Sequence, residues 1–321
     1  MDNLVEIQDL KKYFKSPKGM VHAVDGVTMS IARGSTMGVV GESGCGKSTL
    51  GRVLIQMLAP TGGKLIFDGK DVSNLKGQAL RDYHSRAQFI FQDSYSSLDP
   101  RYTVEQAIAE PLINARKFSR REIEQKTTEL MDMVGVAQRL RMSYPHEMDG
   151  GRRQRVVIAR ALALDPEFVV CDEPVSALDV SIQAQVLNLL EDLQKERNLT
   201  YMFITHDMSV VRHISDNISV MYLGQLVETS SSKELFSHSY HPYTKALLSA
   251  IPSTDIHHKM NRIVLKGEIT SPINPPPGCR FAARCPYATD ACRQAVPELR
   301  PVRGNHFVAC AAYDDPNFRL R

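Results

Sequence analysis

The chain has 321 residues, 43% of them hydrophobic, and its 39 Lys and Arg nearly balance its 36 Asp and Glu. This composition predicts a globular protein of one large or two modest domains, and balanced charge without a long basic stretch argues against a nucleic-acid ligand. The N-terminus lacks the basic and apolar segments of a signal peptide, and no apolar run approaches the ~20 residues of a membrane helix. We therefore expect a cytosolic chain that reaches a membrane only through partners.

The first part of the chain has the pattern of short strands around one helix. Residues 4–32 predict strands, and short apolar runs at 37–40 and 64–67 predict two more. Residues 49–55 predict a helix directly after a glycine-rich segment.

That glycine-rich segment, residues 41–48, fits the pattern G-x-x-x-x-G-K-[ST] of a phosphate-binding loop between a strand and a helix. Glycines let backbone N–H groups turn towards phosphate oxygens, and the helix N-terminus adds positive potential. Lys47 is expected to reach the β- and γ-phosphates, and the Ser48 hydroxyl to hold Mg²⁺. The predicted nucleotide contacts are Gly41, Glu42, Ser43, Gly44, Cys45, Gly46, Lys47, Ser48 and Thr49.

Cys45 within this loop has two interpretations. Neighbouring N–H groups and Lys47 would lower its pKa and make the thiol sensitive to alkylation. The favoured alternative is that a small residue simply fits the loop.

The middle of the chain alternates strands and helices. Residues 88–91 predict a strand ending at Gln92, and residues 103–142 are expected to be helical. The later expected segments are a helix at 152–164, a strand at 167–171, a helix at 181–197, a strand at 201–204 and a helix at 208–214. This alternation predicts an α/β fold with a parallel sheet, and a nucleotide at the carboxyl edge of that sheet.

Polar residues follow two of the predicted buried strands. Asp172 and Glu173 come after the first, where Asp172 can bind Mg²⁺ and Glu173 can polarise the attacking water. His206 comes after the second, and a γ-phosphate contact is expected if its strand lies beside the first two. Taken alone, His206 would be read as a capping or core histidine.

Six motifs stand in a fixed order, namely residues 41–48, Gln92, 150–155, Asp172-Glu173, 176–179 and His206. With them the chain resembles the ATPase subunit of ATP-binding cassette (ABC) transporters over residues 4–235. The resemblance implies an ABC-type P-loop NTPase cassette over residues 1–235. Its parts are a RecA-like parallel sheet core, an antiparallel β subdomain and a helical subdomain near residues 95–160.

The resemblance also implies roles for single residues, with ATP and Mg²⁺ as ligands. It implies that cassettes pair head to tail, that residues 176–179 form the contact loop between them, and that Tyr13 stacks on adenine. The implied catalytic residues are Glu173, His206, Gln92 and Lys47, and the implied Mg²⁺ ligands are Ser48, Gln92 and Asp172. The residues implied to contact the ATP of the partner cassette are Asp149, Gly150 and Gly151.

The signature segment departs from the family pattern Leu-Ser-Gly-Gly-Gln, because Asp149 stands where serine is usual. A serine hydroxyl can donate to the γ-phosphate, whereas an ionised carboxylate repels it. One interpretation is that Asp149 caps its helix as serine would. The other is an asymmetric heterodimer in which the site completed by Asp149 hydrolyses ATP slowly. Independently of this choice, Arg152 and Arg153 are expected to offset the negative charge locally.

Four cysteines crowd the end of the chain with the spacing C-x5-C-x6-C-x17-C, namely Cys279, Cys285, Cys292 and Cys310. Four thiolates can hold a [4Fe–4S] cluster or zinc, and the wide gaps favour the cluster. Disulfides in oxidised protein remain an alternative. His306 is a spare candidate ligand, with a surface position as the favoured alternative.

Residues 241–248 and 276–286 resemble the ATPases of dipeptide and oligopeptide importers, some of which hold an iron–sulfur cluster in this region. Prolines at 272 and 275–277 predict that the chain after about residue 235 is rich in loops. The resemblance implies a C-terminal extension over residues 236–321. It implies as partners a second, different ATPase subunit, two transmembrane permeases and an extracytoplasmic solute-binding protein. It also implies a peripheral position on the cytoplasmic face of a bacterial or archaeal cell membrane.

Other functions stay open from the residues alone. Nickel and some glycoside importers share the extension, so import of nickel or another small solute is an alternative. A soluble ABC-type ATPase with a redox-sensing cluster is a further alternative. A cassette ATPase acting on DNA or ribosomes usually has two cassettes or a coiled-coil insertion, and the sequence has neither.

Overall fold

The computed structural model describes residues 2–252, 262–265, 267 and 271–314. The chain divides into two compact units. Unit 1 comprises residues 1–2, 32–35 and 75–202, and unit 2 comprises residues 3–31, 36–74 and 203–321.

The strands occur throughout the chain. They are β1 (Asn3–Ser16), β2 (Gly19–Ala32), β3 (Thr36–Val40), β4 (Gly62–Phe67), β5 (Lys70–Asp71), β6 (Ala87–Ile90), β7 (Phe168–Asp172), β8 (Thr200–Thr205), β9 (Asn217–Tyr222), β10 (Gln225–Ser231), β11 (Arg300–Arg303) and β12 (His306–Val308). The division between the units falls within β8.

The helices are mostly short. They are α1 (Lys47–Leu54), α2 (Gly77–Arg86), α3 (Val104–Ala115), α4 (Arg120–Met133), α5 (Gly150–Leu162), α6 (Val180–Arg197), α7 (Met208–Ile214), α8 (Ser232–Ser237), α9 (Pro242–Ser249) and α10 (Ala291–Gln294). Within the described residues, no helix combines the length and the apolar character that crossing a membrane requires.

Unit 2 contains an antiparallel sheet and a mixed sheet. In the antiparallel sheet the strand order is β2-β1-β4-β5, and Val5 of β1 stands opposite Phe67 of β4. In the mixed sheet β11, β12, β10, β9 and β3 are successive neighbours, and β3 runs parallel to β9. All five residues of β3 are buried, which is typical of a parallel strand covered on both faces.

Unit 1 places helices next to a parallel strand pair. In that pair Ile90 of β6 stands opposite Cys171 of β7, so the carboxyl ends of both strands meet at one edge. Helices α3 and α4 each begin with a capping box, in which Thr103 and Ser119 accept a backbone N–H at N3. These caps satisfy N–H groups that the first helical turn leaves without partners.

Several predicted elements differ from the structure. The helical stretch expected over 103–142 is two α-helices, because Arg116 ends α3 in the left-handed conformation and Ser119 starts α4 as its N-cap. Helix α2 was not predicted, since it is polar and buries only Tyr83. The C-terminal extension, expected to be rich in loops, also forms α9, α10, β11 and β12.

Part of the extension is integral to the core of unit 2. Strand β12 pairs with β10, with Val308 opposite Glu228. The buried rings of Tyr222, Tyr243 and Phe281 pack with centroids 4.8 to 5.5 Å apart. This aromatic cluster links the end of β9 to α9 and to the segment that carries the first cysteines.

The carboxylate of Glu167, immediately before β7, binds arginines from two other segments of unit 1. Glu167 Oε2 accepts from Arg33 Nη1 at 2.7 Å, and Glu167 Oε1 accepts from Arg86 Nε at 2.5 Å. The bond from Arg86, followed by that from Arg33, lowers the pKa of Glu167 against the opposing effect of burial. The ionised carboxylate is therefore favoured in the folded state.

We expect Glu167→Gln to lower the Tm at pH 7 by a few degrees, corresponding to about 1 kcal/mol for a partly exposed network. Because the folded-state pKa is depressed, this stabilisation is present above the unfolded pKa of about 4.3 and disappears as the pH falls through the folded value. Thermal unfolding at pH 7 and at pH 3 measures the difference. Glu298→Gln is a matched control, because Glu298 is 79% exposed and lies 3.4 Å from Arg300. Equal Tm losses at both pH values would contradict this account.

Candidate functional site

The predicted phosphate loop is shaped by close backbone packing within unit 2. Gly41 has φ 155°, and a Cβ there would lie 2.1 Å from the carbonyl oxygen of Met221. Gly46 has φ 105°, and its Cβ would lie 2.0 Å from the carbonyl oxygen of Ala23. Only glycine has room at these two positions, so the loop is held against the end of β9 and against β2.

Lys47 begins α1 directly after this loop and is only 4% exposed. Its ammonium donates to the carbonyl oxygens of Gly41 at 2.7 Å and Glu42 at 3.0 Å. No side chain caps the N-terminus of α1, so Ser48 and Thr49 lie in a first turn whose N–H groups suit an anion. The predicted nucleotide contacts at residues 41–49 thus stand together on one loop and one helix end.

The less favoured interpretation of Cys45, sensitivity to alkylation, does not agree with the structure. Cys45 is 3% exposed, and burial raises the pKa of its thiol although Lys47 opposes the rise. A Cβ on Gly41 would lie 2.8 Å from the Cys45 sulfur, so the thiol is closely packed. The structure thus agrees with the favoured interpretation, in which Cys45 is a small residue that fits the loop.

Tyr13 lies in a polar cluster on the antiparallel sheet. One face of its ring stacks on His22 with centroids 4.1 Å apart, and its hydroxyl donates to Asp25. Burial alone would raise the pKa of Asp25, but hydrogen bonds from Tyr13 and His22 and the charge of Arg280 hold it below its ordinary value. The proposed adenine-stacking ring is thus fixed by its hydroxyl.

Unit 1 brings two of the predicted catalytic residues together. Asp172 is the last residue of the buried strand β7 and is 3% exposed. Glu173 follows it, and its Oε2 accepts a hydrogen bond from Gln92 Nε2 at 3.0 Å. Gln92 comes shortly after β6, so the pairing of β6 with β7 explains this contact.

Glu173 has a backbone conformation that side chains rarely adopt. Its φ is 48°, in the left-handed region, and its carbonyl accepts from the Ser176 hydroxyl at 3.1 Å. Strained backbone of this kind is kept where the surroundings fix it, and it is concentrated at functional sites. The turn aims the carboxylate at Gln92, and residues 176–179 lead into α6.

Asp149 is the N-cap of α5. Its Oδ1 accepts from the Arg152 N–H at 2.8 Å, and its Oδ2 lies 3.3 Å from the Arg152 guanidinium. Arg153 instead donates to the carbonyls of Pro145 and Met148, so of these two arginines it is Arg152 that lies beside the carboxylate. Gly150 and Gly151 form the first turn, where a Cβ would meet Leu178 and Ile182.

His206 lies in unit 2, between β8 and α7, and its side chain is exposed. The next residue, Asp207, caps α7 by accepting from the Ser209 N–H at 2.7 Å. The cap is therefore formed by the aspartate, which leaves the capping interpretation of His206 without support.

The four C-terminal cysteines are free thiols that line one cavity together with His241. Burial raises the pKa of Cys279 and Cys285, and raises that of Cys310 to about 11. Among the residues that the structure describes, no three His, Cys, Asp or Glu side chains are arranged to hold a metal ion. The predicted [4Fe–4S] cluster is therefore not supported by a preformed ion site and stays a prediction.

His306 is neither a ligand candidate in that cavity nor a surface residue as expected. It is 1% exposed, and its Nε2 lies 2.8 Å from Glu228 Oε1. Glu228 also accepts the backbone N–H groups of Tyr240 and His241. The buried carboxylate thus ties β12 and the start of α9 to β10.

Sequence reasoning missed the side chains of the extension that contact the phosphate loop and the Tyr13 cluster. Arg284 pairs with Glu42, the Tyr243 hydroxyl accepts from the Glu42 N–H, and Arg280 donates to Asp25. No local pattern marks such partners, because they lie about 200 or more positions apart along the chain.

Comparison with family models gives two matches. Residues 24–176 match the ABC transporter family, and residues 227–292 match the family described as oligopeptide/dipeptide transporter, C-terminal region. The oligopeptide transport ATP-binding protein AppF of Bacillus subtilis is 50% identical over 97% of this chain and 98% of its own length. The chain therefore belongs to the family of ABC transporter ATP-binding proteins, and as a member it is an ATPase.

Solved structures confirm the cassette fold. The cbiO1 protein of Clostridium perfringens, part of an ABC transporter complex, is 28% identical with a TM-score of 0.67 over 74% of this chain and 92% of that one. The ATP-binding cassette MJ0796, in a dimeric post-hydrolysis state bound to ADP and phosphate, is 28% identical. Its TM-score is 0.65, over 71% of this chain and 98% of that one.

Proposed function

We propose that this chain hydrolyses ATP to drive peptide import as the cytoplasmic, energy-coupling subunit of an ABC transporter. The observation that carries the proposal is Lys47, buried at the head of α1 inside a loop shaped by Gly41 and Gly46. The contact between Gln92 and Glu173 supports a hydrolytic rather than a purely binding role. We further propose that residues 1–235 act as the cassette and residues 236–321 as its extension.

The proposed chemistry assigns a role to each residue of the site. Lys47 and backbone N–H groups within residues 43–49 bind the phosphates, whereas the Glu42 N–H is engaged by Tyr243. Ser48, Gln92 and Asp172 would hold Mg²⁺. A Mg²⁺ ion held by these residues would supply positive charge that stabilises the phosphates during transfer. Glu173 accepts a proton from the attacking water, and His206 donates to the γ-phosphate. Tyr13 stacks on the adenine.

The proposed working form is a head-to-tail pair with a second, different ATPase subunit. The dimeric MJ0796 cassette supports pairing, and the exposed residues 176 and 179 suit a contact loop. In such a pair Asp149, Gly150 and Gly151 meet the nucleotide of the partner. Two permeases of a bacterial or archaeal cell membrane then respond to closure and opening of the pair.

The proposed cargo is a peptide delivered by an extracytoplasmic solute-binding protein. The match to the oligopeptide/dipeptide transporter C-terminal region and the name of the Bacillus subtilis relative support this cargo. Nickel or another small solute is the alternative for the same fold.

We also propose a [4Fe–4S] cluster on Cys279, Cys285, Cys292 and Cys310. The support is that all four thiols line one cavity and none is in a disulfide. Thiolate sulfur is the ligand that such clusters prefer, and a cluster spans wider gaps than a single ion. The bound cluster would serve to cross-link the loops of the extension.

We expect Lys47→Ala to reduce ATP turnover by about 100-fold or more, because it removes a buried cation from the phosphates. Turnover is measured on the assembled transporter, together with ATP binding to the full chain. Lys245→Ala in α9 is a control for loss of one lysine. A Lys47→Ala protein that binds and cleaves ATP like the parent would refute the proposed site.

We expect Asp149→Ser to leave the Tm unchanged, because serine and aspartate both cap helices. We expect it to increase ATP turnover, because a hydroxyl donates where a carboxylate repels the γ-phosphate. Glu173→Gln, measured in parallel, should abolish turnover at the site of this chain. If turnover is unchanged by Asp149→Ser and lost with Glu173→Gln, then Asp149 is a helix cap without effect on hydrolysis.

We expect anaerobically purified protein to show the broad visible absorbance of an iron–sulfur cluster, with iron and sulfide in equal amounts. Cys285→Ser should reduce the iron content, whereas Cys171→Ser, at a buried cysteine in β7, should not. Stoichiometric zinc, or protein without metal, would contradict the cluster.

A further inference from the structure

We propose that Arg284 and Tyr243 of the C-terminal extension are positioning residues for the phosphate loop, acting through Glu42. The inference rests on the proposed ATP site. It extends that site to two residues that the cassette motifs do not include.

The N–H, the carbonyl and the carboxylate of Glu42 each form a hydrogen bond with another residue of unit 2. Its N–H donates to the Tyr243 hydroxyl at 2.7 Å, and its carbonyl accepts from Lys47 Nζ at 3.0 Å. Its carboxylate accepts from Arg284 Nη1 at 2.7 Å and Nη2 at 3.0 Å. The N–H of Glu42 is thus directed to the extension, and the same residue links the extension to Lys47.

The guanidinium of Arg284 is well placed to fix this carboxylate. The side chain of Arg284 is 8% exposed and that of Glu42 is 24% exposed, so water screens the pair only in part. Arg284 also lies over the Tyr222 ring, 6.0 Å from its centroid. The hydrogen bond with Glu42 raises the pKa of Arg284 further above its ordinary value. A two-pronged contact of this kind fixes orientation as well as charge.

The Tyr243 hydroxyl is equally constrained. Tyr243 lies on α9 and is 0% exposed. Its ring meets that of Tyr222 at 4.8 Å and that of Phe281 at 5.5 Å. Because the ring packs against both of these rings, its hydroxyl oxygen is held in place to accept the hydrogen bond from the Glu42 N–H.

Two consequences follow for nucleotide binding. Arg284 neutralises a carboxylate that stands within the loop meant for phosphates, where an unpaired negative charge would repel the ligand. Arg284 and Tyr243 also fix the peptide groups of Glu42, one of which holds Lys47. Loss of either contact should weaken ATP binding while leaving the catalytic Glu173 untouched.

The test measures the Kd of a fluorescent ATP analogue with the full chain, and KM and kcat of the assembled transporter. Arg284→Met removes the charge at similar volume, and Tyr243→Phe removes only the hydroxyl. We expect Kd and KM to rise roughly 10-fold for Arg284→Met and roughly 3- to 10-fold for Tyr243→Phe. The kcat should stay near that of the parent. Arg284→Lys, which keeps the charge, should give a smaller rise and guards against misfolding of the methionine variant.

Matched controls come from the same extension. Arg303→Met changes a 61% exposed arginine that lies 3.6 Å from Glu234. Tyr313→Phe removes a hydroxyl that donates to the Tyr240 carbonyl at 2.8 Å. The contacts described for these two residues are with Glu234 and Tyr240 rather than with residues 41–49, so both variants should bind ATP like the parent.

A double-mutant cycle with Glu42→Gln separates positioning from general stability. If Arg284 acts through Glu42, then Arg284→Met should change the Kd much less in the Glu42→Gln background. Equal losses in both backgrounds, or unchanged Kd in folded Arg284→Met and Tyr243→Phe proteins, would overturn the inference. A parent chain that binds no ATP analogue would contradict the proposed function itself.

Discussion

The candidate site depends on one constraint, the contact of main chain with main chain around the phosphate loop. The loop can approach the Met221 and Ala23 carbonyls only because residues 41 and 46 have no side chain. This approach fixes where α1 begins and therefore where the Lys47 ammonium lies. The backbone path of the loop is consequently set by its close packing against β9 and β2 of unit 2.

A second constraint operates in unit 1, where strand register sets the distance between side chains. The pairing of Ile90 with Cys171 brings the segments after β6 and β7 side by side. Gln92 and Glu173 can therefore bond at 3.0 Å although 81 positions separate them. The left-handed turn at Glu173 completes this geometry. The pairing of two parallel strands is therefore enough to bring an amide and a carboxylate within hydrogen-bonding distance at the sheet edge.

The sequence predicted what depends on local pattern. Composition and spacing predicted the buried strand β7, the phosphate loop and the helix after the loop. The family resemblance assigned these elements correctly to a cassette fold. Helix α2 was missed because it buries only Tyr83, so its apolar periodicity is weak. The pairing of Arg284 with Glu42 spans 242 positions and joins two ordinary surface residue types, for which no local rule exists. The burial of His306 likewise depends on its distant partner, Glu228.

The outermost strand of the mixed sheet has a further consequence. Strand β11 lies at the edge of that sheet, and it contains Pro301, which has no N–H to donate. Exposed arginines occupy both of its ends. A strand with a proline between two charged arginines is a poor hydrogen-bonding partner for a strand of another chain. Strand β11 therefore closes this edge of the sheet in unit 2 with a strand that offers few groups for pairing with another chain.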